Sequence, residues 1–183
     1  MSRYARINSR LWTNSDKWRR VGAGCDVDRL DPRLLYFYLH TCSHSNSIVC
    51  YYLPLAYVQA DLRCDYQPVA NGFETLADAG LIVYSDHVAV VHVVGAALED
   101  KPNNPNVARA MVKALNDLPD CQAKLLCALE LEQCDKIVSV MKGQSLSEPL
   151  RNRLETVTQT DSKRVCTPSP SPSPSPTPSP TTV

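Results

Sequence analysis

The fold is decided by residues 54–94, which read PLAYVQADLRCDYQPVANGFETLADAGLIVYSDHVAVVHVV. Residues 54–62 predict a short helix, because proline is favoured in the first turn of a helix. Residues 67–79 predict a second helix, and Gly80 follows where a helix commonly ends in a left-handed residue. The second helix has an apolar stripe at helical spacing, formed by Val69, Phe73, Leu76 and Ala77.

The residues on either side of this helix pair predict a small sheet. Residues 81–84 and 88–94 are rich in β-branched side chains, and the polar residues 85–87 between them predict a hairpin turn. Upstream, residues 31–41 predict a helix and residues 48–52 a short strand. The order helix, strand, helix, tight turn, helix, hairpin is typical of a winged helix-turn-helix.

The C-terminal half predicts a helical hairpin over residues 105–142. Asn104 and Pro105 begin its first helix, Pro119 and Asp120 end it, and a longer helix runs from Cys121 to Lys142. Neither helix has a core of its own, so the pair is expected to dock on the preceding domain or on a second copy of the chain.

The sequence therefore predicts an α+β, mainly α, chain. Seven of its 14 prolines lie between Pro168 and Pro180, in Ser-Pro and Thr-Pro repeats that predict a disordered tail. The predicted organisation is a winged helix-turn-helix domain with a basic N-terminal arm at 1–98, a linker at 99–104, the helical hairpin at 105–142, a weakly structured segment at 143–166 and the tail at 167–183.

Charge is distributed unevenly, although 19 basic residues balance 19 acidic ones. Residues 1–33 hold eight basic and four acidic residues, giving +4, whereas residues 34–100 hold one basic and seven acidic residues, giving −6. Residues 101–183 hold ten basic and eight acidic residues, giving +2. Attraction to phosphate would therefore be anchored in the N-terminal arm.

The eight cysteines do not show the spacing of a zinc motif, because no CxxC pair is present. The shortest Cys–His spacing is Cys42-Ser43-His44, and Cys127 and Cys134 are seven residues apart, as on one face of a helix. We predict no metal site, no catalytic thiol and no cofactor. Without a glycine-rich phosphate loop or an HExxH pattern, an enzyme is not expected.

Several short segments resemble phage replisome-organiser and replication-initiation-like proteins, over about residues 3–120. Such proteins are taken to bind origin DNA through an N-terminal winged helix and to help recruit host helicase machinery. The segments that carry the resemblance are Arg3-Tyr4-Ala5-Arg6-Ile7 with Leu11-Trp12, Thr41-Cys42-Ser43-His44-Ser45-Asn46, Tyr52-Leu53-Pro54-Leu55-Ala56-Tyr57, Leu76-Ala77-Asp78-Ala79-Gly80-Leu81-Ile82 and Asn104-Pro105-Asn106-Val107.

The resulting expectation is double-stranded DNA binding in the initiation of phage or prophage replication. Helix 67–79 would contact bases, and the basic arm would contact phosphates. Glu74 and Asp78 on the same helix would repel phosphate. The DNA-binding residues predicted in this way are Gln67, Asn71 and Thr75 on the helix, and Arg3, Arg6, Arg10, Lys17, Arg19 and Arg20 in the arm.

Two alternatives use the same fold. The −6 charge of the middle segment suits a protein-interaction module with a basic partner, such as a host or phage replicative helicase or helicase loader, and the C-terminal helices could form a homodimer. Transcriptional regulation is the other alternative. No signal peptide or membrane-spanning run is evident, so the expected location is the bacterial host cytoplasm, without membrane association.

Overall fold

A computed structural model describes residues 30–99 and 101–162 of the 183-residue chain. Within these residues the fold is mainly helical and contains one three-stranded antiparallel sheet. The predicted α+β, mainly α class is confirmed. The basic residues predicted to contact phosphate between Arg3 and Arg20, and the tail at 167–183, lie outside the described residues.

The first half alternates helices with short strands. Asp31 caps the first helix, because its Oδ1 accepts a hydrogen bond of 2.8 Å from the backbone N–H of Arg33. A left-handed residue, Arg63, ends the second helix at φ 53°, and Gly80, at φ 65°, follows the third. The elements are α1 (Pro32–Thr41), β1 (Cys50–Tyr52), α2 (Leu55–Leu62), α3 (Tyr66–Asp78), β2 (Ile82–Ser85), a 3-10 turn (Asp86–Val88) and β3 (Val90–Val93).

The sheet has the strand order β1-β3-β2, with both pairs antiparallel. β1 therefore crosses over to pair with the last strand rather than with β2. The register places His92 of β3 opposite Cys50 of β1 on one side and opposite Val83 of β2 on the other. These three residues consequently project from the same face of the sheet.

Both faces of this sheet are covered, so all four residues of β3 are buried. One face packs on α1, α2 and α3 in a first core, and the other packs on the C-terminal helices in a second core. Successive strand residues alternate between the two cores, as the period of a strand requires. The first core includes Leu35, Leu39, Tyr51, Val58, Phe73, Leu76, Ile82, Val91 and Val93; the second includes Cys50, Val90, Met111, Leu115, Cys127, Ala128, Leu131, Ile137 and Leu150.

The C-terminal helices complete the second core. Helix α6 (Gln122–Leu131) lies across all three strands, and α5 (Pro105–Asn116) packs mainly against α7 (Asp135–Val140). Asn104 caps α5 by accepting hydrogen bonds of 2.9 Å from the backbone N–H groups of Asn106 and Val107. The elements are α4 (Ala96–Glu99), α5 (Pro105–Asn116), α6 (Gln122–Leu131), α7 (Asp135–Val140) and α8 (Ser147–Ser162).

Two predictions for this half were wrong. The single helix from Cys121 to Lys142 is broken at residues 132–134 into α6 and α7, which pack on different elements. The segment 143–166, expected to be weakly structured, contains α8 instead. The reason is tertiary: the side chain of Glu132, at the end of α6, binds the start of α8, while Leu146 and Leu150 are buried in the second core.

No helix in the described part of the chain combines the length and the apolar character needed to cross a bilayer.

Candidate nucleic-acid interface and a buried cysteine–histidine cluster

The three predicted base-contacting residues lie on one side of α3. Gln67, Asn71 and Thr75 are four residues apart, so they follow one another along the helix surface. The opposite side of α3, formed by Val69, Gly72, Phe73 and Leu76, is buried in the first core. Packing of this apolar stripe therefore fixes which side chains α3 presents outward.

These polar side chains also bind one another. Gln67 Nε2 donates a hydrogen bond of 2.8 Å to Asn71 Oδ1, and Thr75 Oγ1 donates one of 2.8 Å to the backbone oxygen of Asn71. The amide pair retains the Gln67 carbonyl and the Asn71 amide nitrogen for other partners. Reading an adenine with both groups of one amide would require the pair to open.

The surroundings of this face are acidic. Glu74 and Asp78 on α3 are exposed, and Asp86 and His87 are exposed in the turn between β2 and β3. Any attraction of this face to a phosphate backbone must therefore come from outside α3 and the turn. The predicted arm residues that could supply it (Arg3, Arg6, Arg10, Lys17, Arg19 and Arg20) lie outside the described residues.

Exposed aromatic side chains stand beside the start of α3. Tyr52, Tyr57 and Tyr66 are each about half exposed. The ring of His44 stacks on that of Tyr57 with centroids 5.1 Å apart, and Tyr52 meets Tyr57 edge to face at 6.5 Å. Large exposed aromatic groups of this kind are enriched where proteins meet partners.

A buried cluster of two thiols and one imidazole lies between the sheet and α6. One potential ligand atom from each of Cys50, His92 and Cys127 lies within 4.8 Å of the other two, and all three residues are buried. Cys50 and His92 are directly opposite residues of β1 and β3, and Cys127 comes from the face of α6 that covers them. Three separate elements thus bring the cluster together.

Glu130 completes the surroundings of His92. It lies three residues after Cys127, so both project from the same side of α6. Its Oε1 is 3.2 Å from His92 Nε2 and accepts a hydrogen bond of 2.7 Å from the backbone N–H of Gly95. Among the described residues, neither ring nitrogen of His92 nor Glu130 Oε2 has a partner with hydrogen-bond geometry, although all three atoms are buried.

The close packing of these groups changes their acidity. Burial opposes a charged imidazole, but contacts with Cys50 and Glu130 outweigh it and raise the pKa of His92 to about 9. The neighbouring Cys127 thiol lowers the pKa of Cys50, and so does His92, although burial raises it. The contact with Cys50 raises the pKa of Cys127, as does burial. The cluster therefore favours an imidazolium beside a single thiolate.

The sequence interpretation of the cysteines was wrong at this site. Cys127 and Cys134 do not share a helix, because Cys134 caps the start of α7, and a histidine does lie beside two cysteines. Zinc-motif spacing detects ligands that are close in sequence, whereas these are 42 and 35 residues apart. The only sequence signal was a histidine within the apolar run of β3.

In comparisons with known proteins, no protein-family model, no curated protein and no solved structure matches the chain.

Proposed function

We propose that the chain binds double-stranded DNA through a winged helix-turn-helix and acts in the initiation of phage or prophage DNA replication. The observation that carries the proposal is the combination of element order with strand order. α2 and α3 are joined by a three-residue connection, α3 leads into β2 and β3, and β1 pairs with β3 in the order β1-β3-β2. This arrangement supports α3 as the recognition helix and the β2–β3 turn as the wing.

The chemistry divides between two regions. The polar side of α3, with Gln67, Asn71 and Thr75, would meet base edges, where each well-placed bidentate amide contributes about 1–3 kcal/mol of discrimination. The six cations of the arm, from Arg3 to Arg20, would neutralise phosphates. Because α3 and the wing are acidic, the arm would supply most of the affinity.

The test is a binding titration of the full chain on duplex DNA over a range of salt concentrations. If four to six arm cations meet phosphates, log K falls with log salt with a slope of about −4 to −5. A slope near zero would exclude the DNA-binding proposal. A replication role is tested by whether a plasmid carrying the bound fragment replicates only when the protein is supplied; binding without replication would favour transcriptional regulation.

A second candidate, a protein-interaction module, is favoured by the exposed aromatic side chains of Tyr52, Tyr57 and Tyr66 and by the exposed carboxylates of α3. The partner would be basic, as a replicative helicase or a helicase loader could be. Y57A tests it: loss of partner binding with DNA affinity retained supports this module. Light scattering of the full chain tests a homodimer.

A further inference from the structure

The buried cluster is a site that the proposed DNA-binding function does not use. His92 is fully buried in the middle of the sheet, and within residues 30–99 and 101–162 neither of its ring nitrogens has a partner in hydrogen-bond geometry, nor does the buried Glu130 Oε2 beside it. Buried polar groups in folded proteins nearly always have partners, so each exception calls for a physical reason.

The two thiols beside His92 make only long contacts with the backbone. Cys50 Sγ is 3.9 Å from the backbone oxygen of Ala123, and Cys127 Sγ is 4.0 Å from that of Ile48. The six described cysteines are all free thiols. Two sulfurs and an imidazole nitrogen therefore converge at one buried point, close enough together to share a common partner.

We propose that Cys50, His92 and Cys127 bind a zinc ion between the sheet and α6, with Glu130 as the positioning residue for His92. Thiolate and imidazole are ligands that zinc prefers, and with three protein ligands a water molecule takes the fourth tetrahedral position. Bond lengths of about 2.3 Å to sulfur and about 2.0 Å to nitrogen separate tetrahedral ligand atoms by about 3.5–3.8 Å. The observed separations are all within 4.8 Å, so closure by no more than about 1.3 Å is needed to reach these values.

Charge balance favours this assignment. On binding, two protons leave the cluster for solvent, so that both sulfurs bind as thiolates and His92 binds as a neutral imidazole; the two thiolates cancel the charge of one Zn²⁺, so no net charge is placed in the core. An imidazole has two nitrogens, and Glu130 can hold one while the other faces the metal. A carboxylate on the second nitrogen commonly orients a metal-bound histidine.

The site would join the two halves of the fold. Cys50 and His92 belong to the sheet, and Cys127 belongs to the helix that covers it. A shared ion would therefore act as a cross-link between segments far apart in sequence and stabilise the packing of α6 on the sheet.

The experiment uses the full chain purified under reducing conditions. We expect one zinc per chain by mass spectrometry of the metal content, a higher unfolding temperature with zinc than after chelation, and cobalt substitution with a thiolate-to-cobalt charge-transfer band. C127S and C50S should lose binding. The matched control is C134S, which replaces another buried cysteine of the second core and should retain it.

E130Q separates the positioning role from a general structural one. It should keep the stoichiometry of one metal and weaken the affinity for cobalt by about 10–100-fold, as loss of an outer-shell partner typically does. An unchanged affinity of E130Q for cobalt would show that Glu130 does not position His92, and it would leave the assignment of the three ligands intact.

Several outcomes would overturn the zinc site. A folded, reduced wild-type chain that takes up neither zinc nor cobalt excludes it, and so does full binding by C127S. If C127S does not fold, the wild-type chain decides the matter: zinc must protect two thiols from titration, and binding without such protection rejects the assignment. None of these readouts depends on DNA, so they are independent of the proposed function.

Discussion

Gly72 of α3 lies directly against Leu35 of α1: a Cβ added at Gly72 would stand 2.8 Å from Leu35 Cδ2. Leu35 is fully buried, so it has little room to move. A glycine inside a helix lowers stability by about 1 kcal/mol relative to alanine. The close approach of α1 and α3 explains why glycine is nevertheless present.

We therefore expect Gly72→Ala to change stability by less than about 1 kcal/mol, because gain in helix propensity and crowding oppose each other. Gly72→Val should lower the free energy of unfolding by about 2–3 kcal/mol through overpacking. Denaturant unfolding measures both. Ala77→Val, at an exposed position of the same helix, is the control, and equal losses in the two valine variants would contradict the packing argument.

Ser85 connects the sheet to α6. Its Oγ, buried at the end of β2, accepts a hydrogen bond of 3.2 Å from the backbone N–H of Ala123 in the first turn of α6. Ser85→Ala leaves this N–H buried without a partner, so we expect a loss of about 1–3 kcal/mol in thermal or denaturant unfolding. Ser139→Ala, which removes an exposed hydroxyl from α7, should lose less than about 0.5 kcal/mol. A similar loss in both would mean that the buried contact is unimportant.

Glu132 holds the start of α8. Its carboxylate accepts hydrogen bonds from the backbone N–H groups of Leu146 and Ser147 and from the hydroxyls of Ser145 and Ser147. Partial burial would raise the pKa of Glu132, but these hydrogen bonds lower it below the ordinary value of 4.5. Ionised Glu132 therefore favours the folded state.

Since the folded pKa of Glu132 is depressed, its stabilisation is complete above the ordinary carboxyl pKa and is lost as pH falls through the folded value. Glu132→Gln should lower stability by about 1–3 kcal/mol at neutral pH. The difference from wild type should shrink in unfolding experiments below about pH 4. A difference that is constant from pH 7 to pH 3 would rule out the charge of Glu132 as its cause.

His40 of α1 should make the fold sensitive to mild acid. It is buried against the ring of Tyr36, and burial lowers its pKa from 6.5 to about 4. The unfolded chain binds the proton first, so wild type should lose stability as pH falls from about 6.5 to about 4. Relative to His40→Gln, the loss should reach about 2–3 kcal/mol at the lower end. Parallel pH profiles for the two proteins would show that His40 is not responsible.

Two double variants test the proposal that α3 contacts the bases and the arm contacts the phosphates. Gln67→Ala with Asn71→Ala should reduce discrimination between sequences and leave the salt dependence unchanged. Arg19→Ala with Arg20→Ala should weaken binding to all sequences and make the log–log salt slope shallower by about 2. Fluorescence anisotropy titrations measure both effects. If the α3 variant changed the salt slope and the arm variant changed the discrimination between sequences, α3 would not contact the bases and the arm would not contact the phosphates as proposed.

The local features of the first half could be read from the sequence because they are set by neighbouring residues. The helix that starts beside Asp31, the left-handed Gly80 and most of the apolar stripe of α3 follow from local chemistry; of the four predicted stripe residues Val69, Phe73 and Leu76 are buried, but Ala77 is exposed. Gly72 needed the structure, because the reason for it lies in Leu35, far away in the chain.

The second half was less predictable because long-range contacts decide it. The break after Leu131 depends on Glu132 binding residues 145–147, which no helical periodicity encodes. The cluster of Cys50, His92 and Cys127 likewise depends on strand register and on the docking of α6. A search for ligands close in sequence cannot find such a site.

The covered sheet has a consequence for how such a gene can change by recombination. Cys50, Val90 and His92 face the C-terminal helices. A fragment ending at Val94 would therefore expose one apolar face of the sheet to solvent and would be prone to aggregate. The DNA encoding residues 30–155 should therefore be inherited as one block, and shuffling with other genes should succeed only outside it.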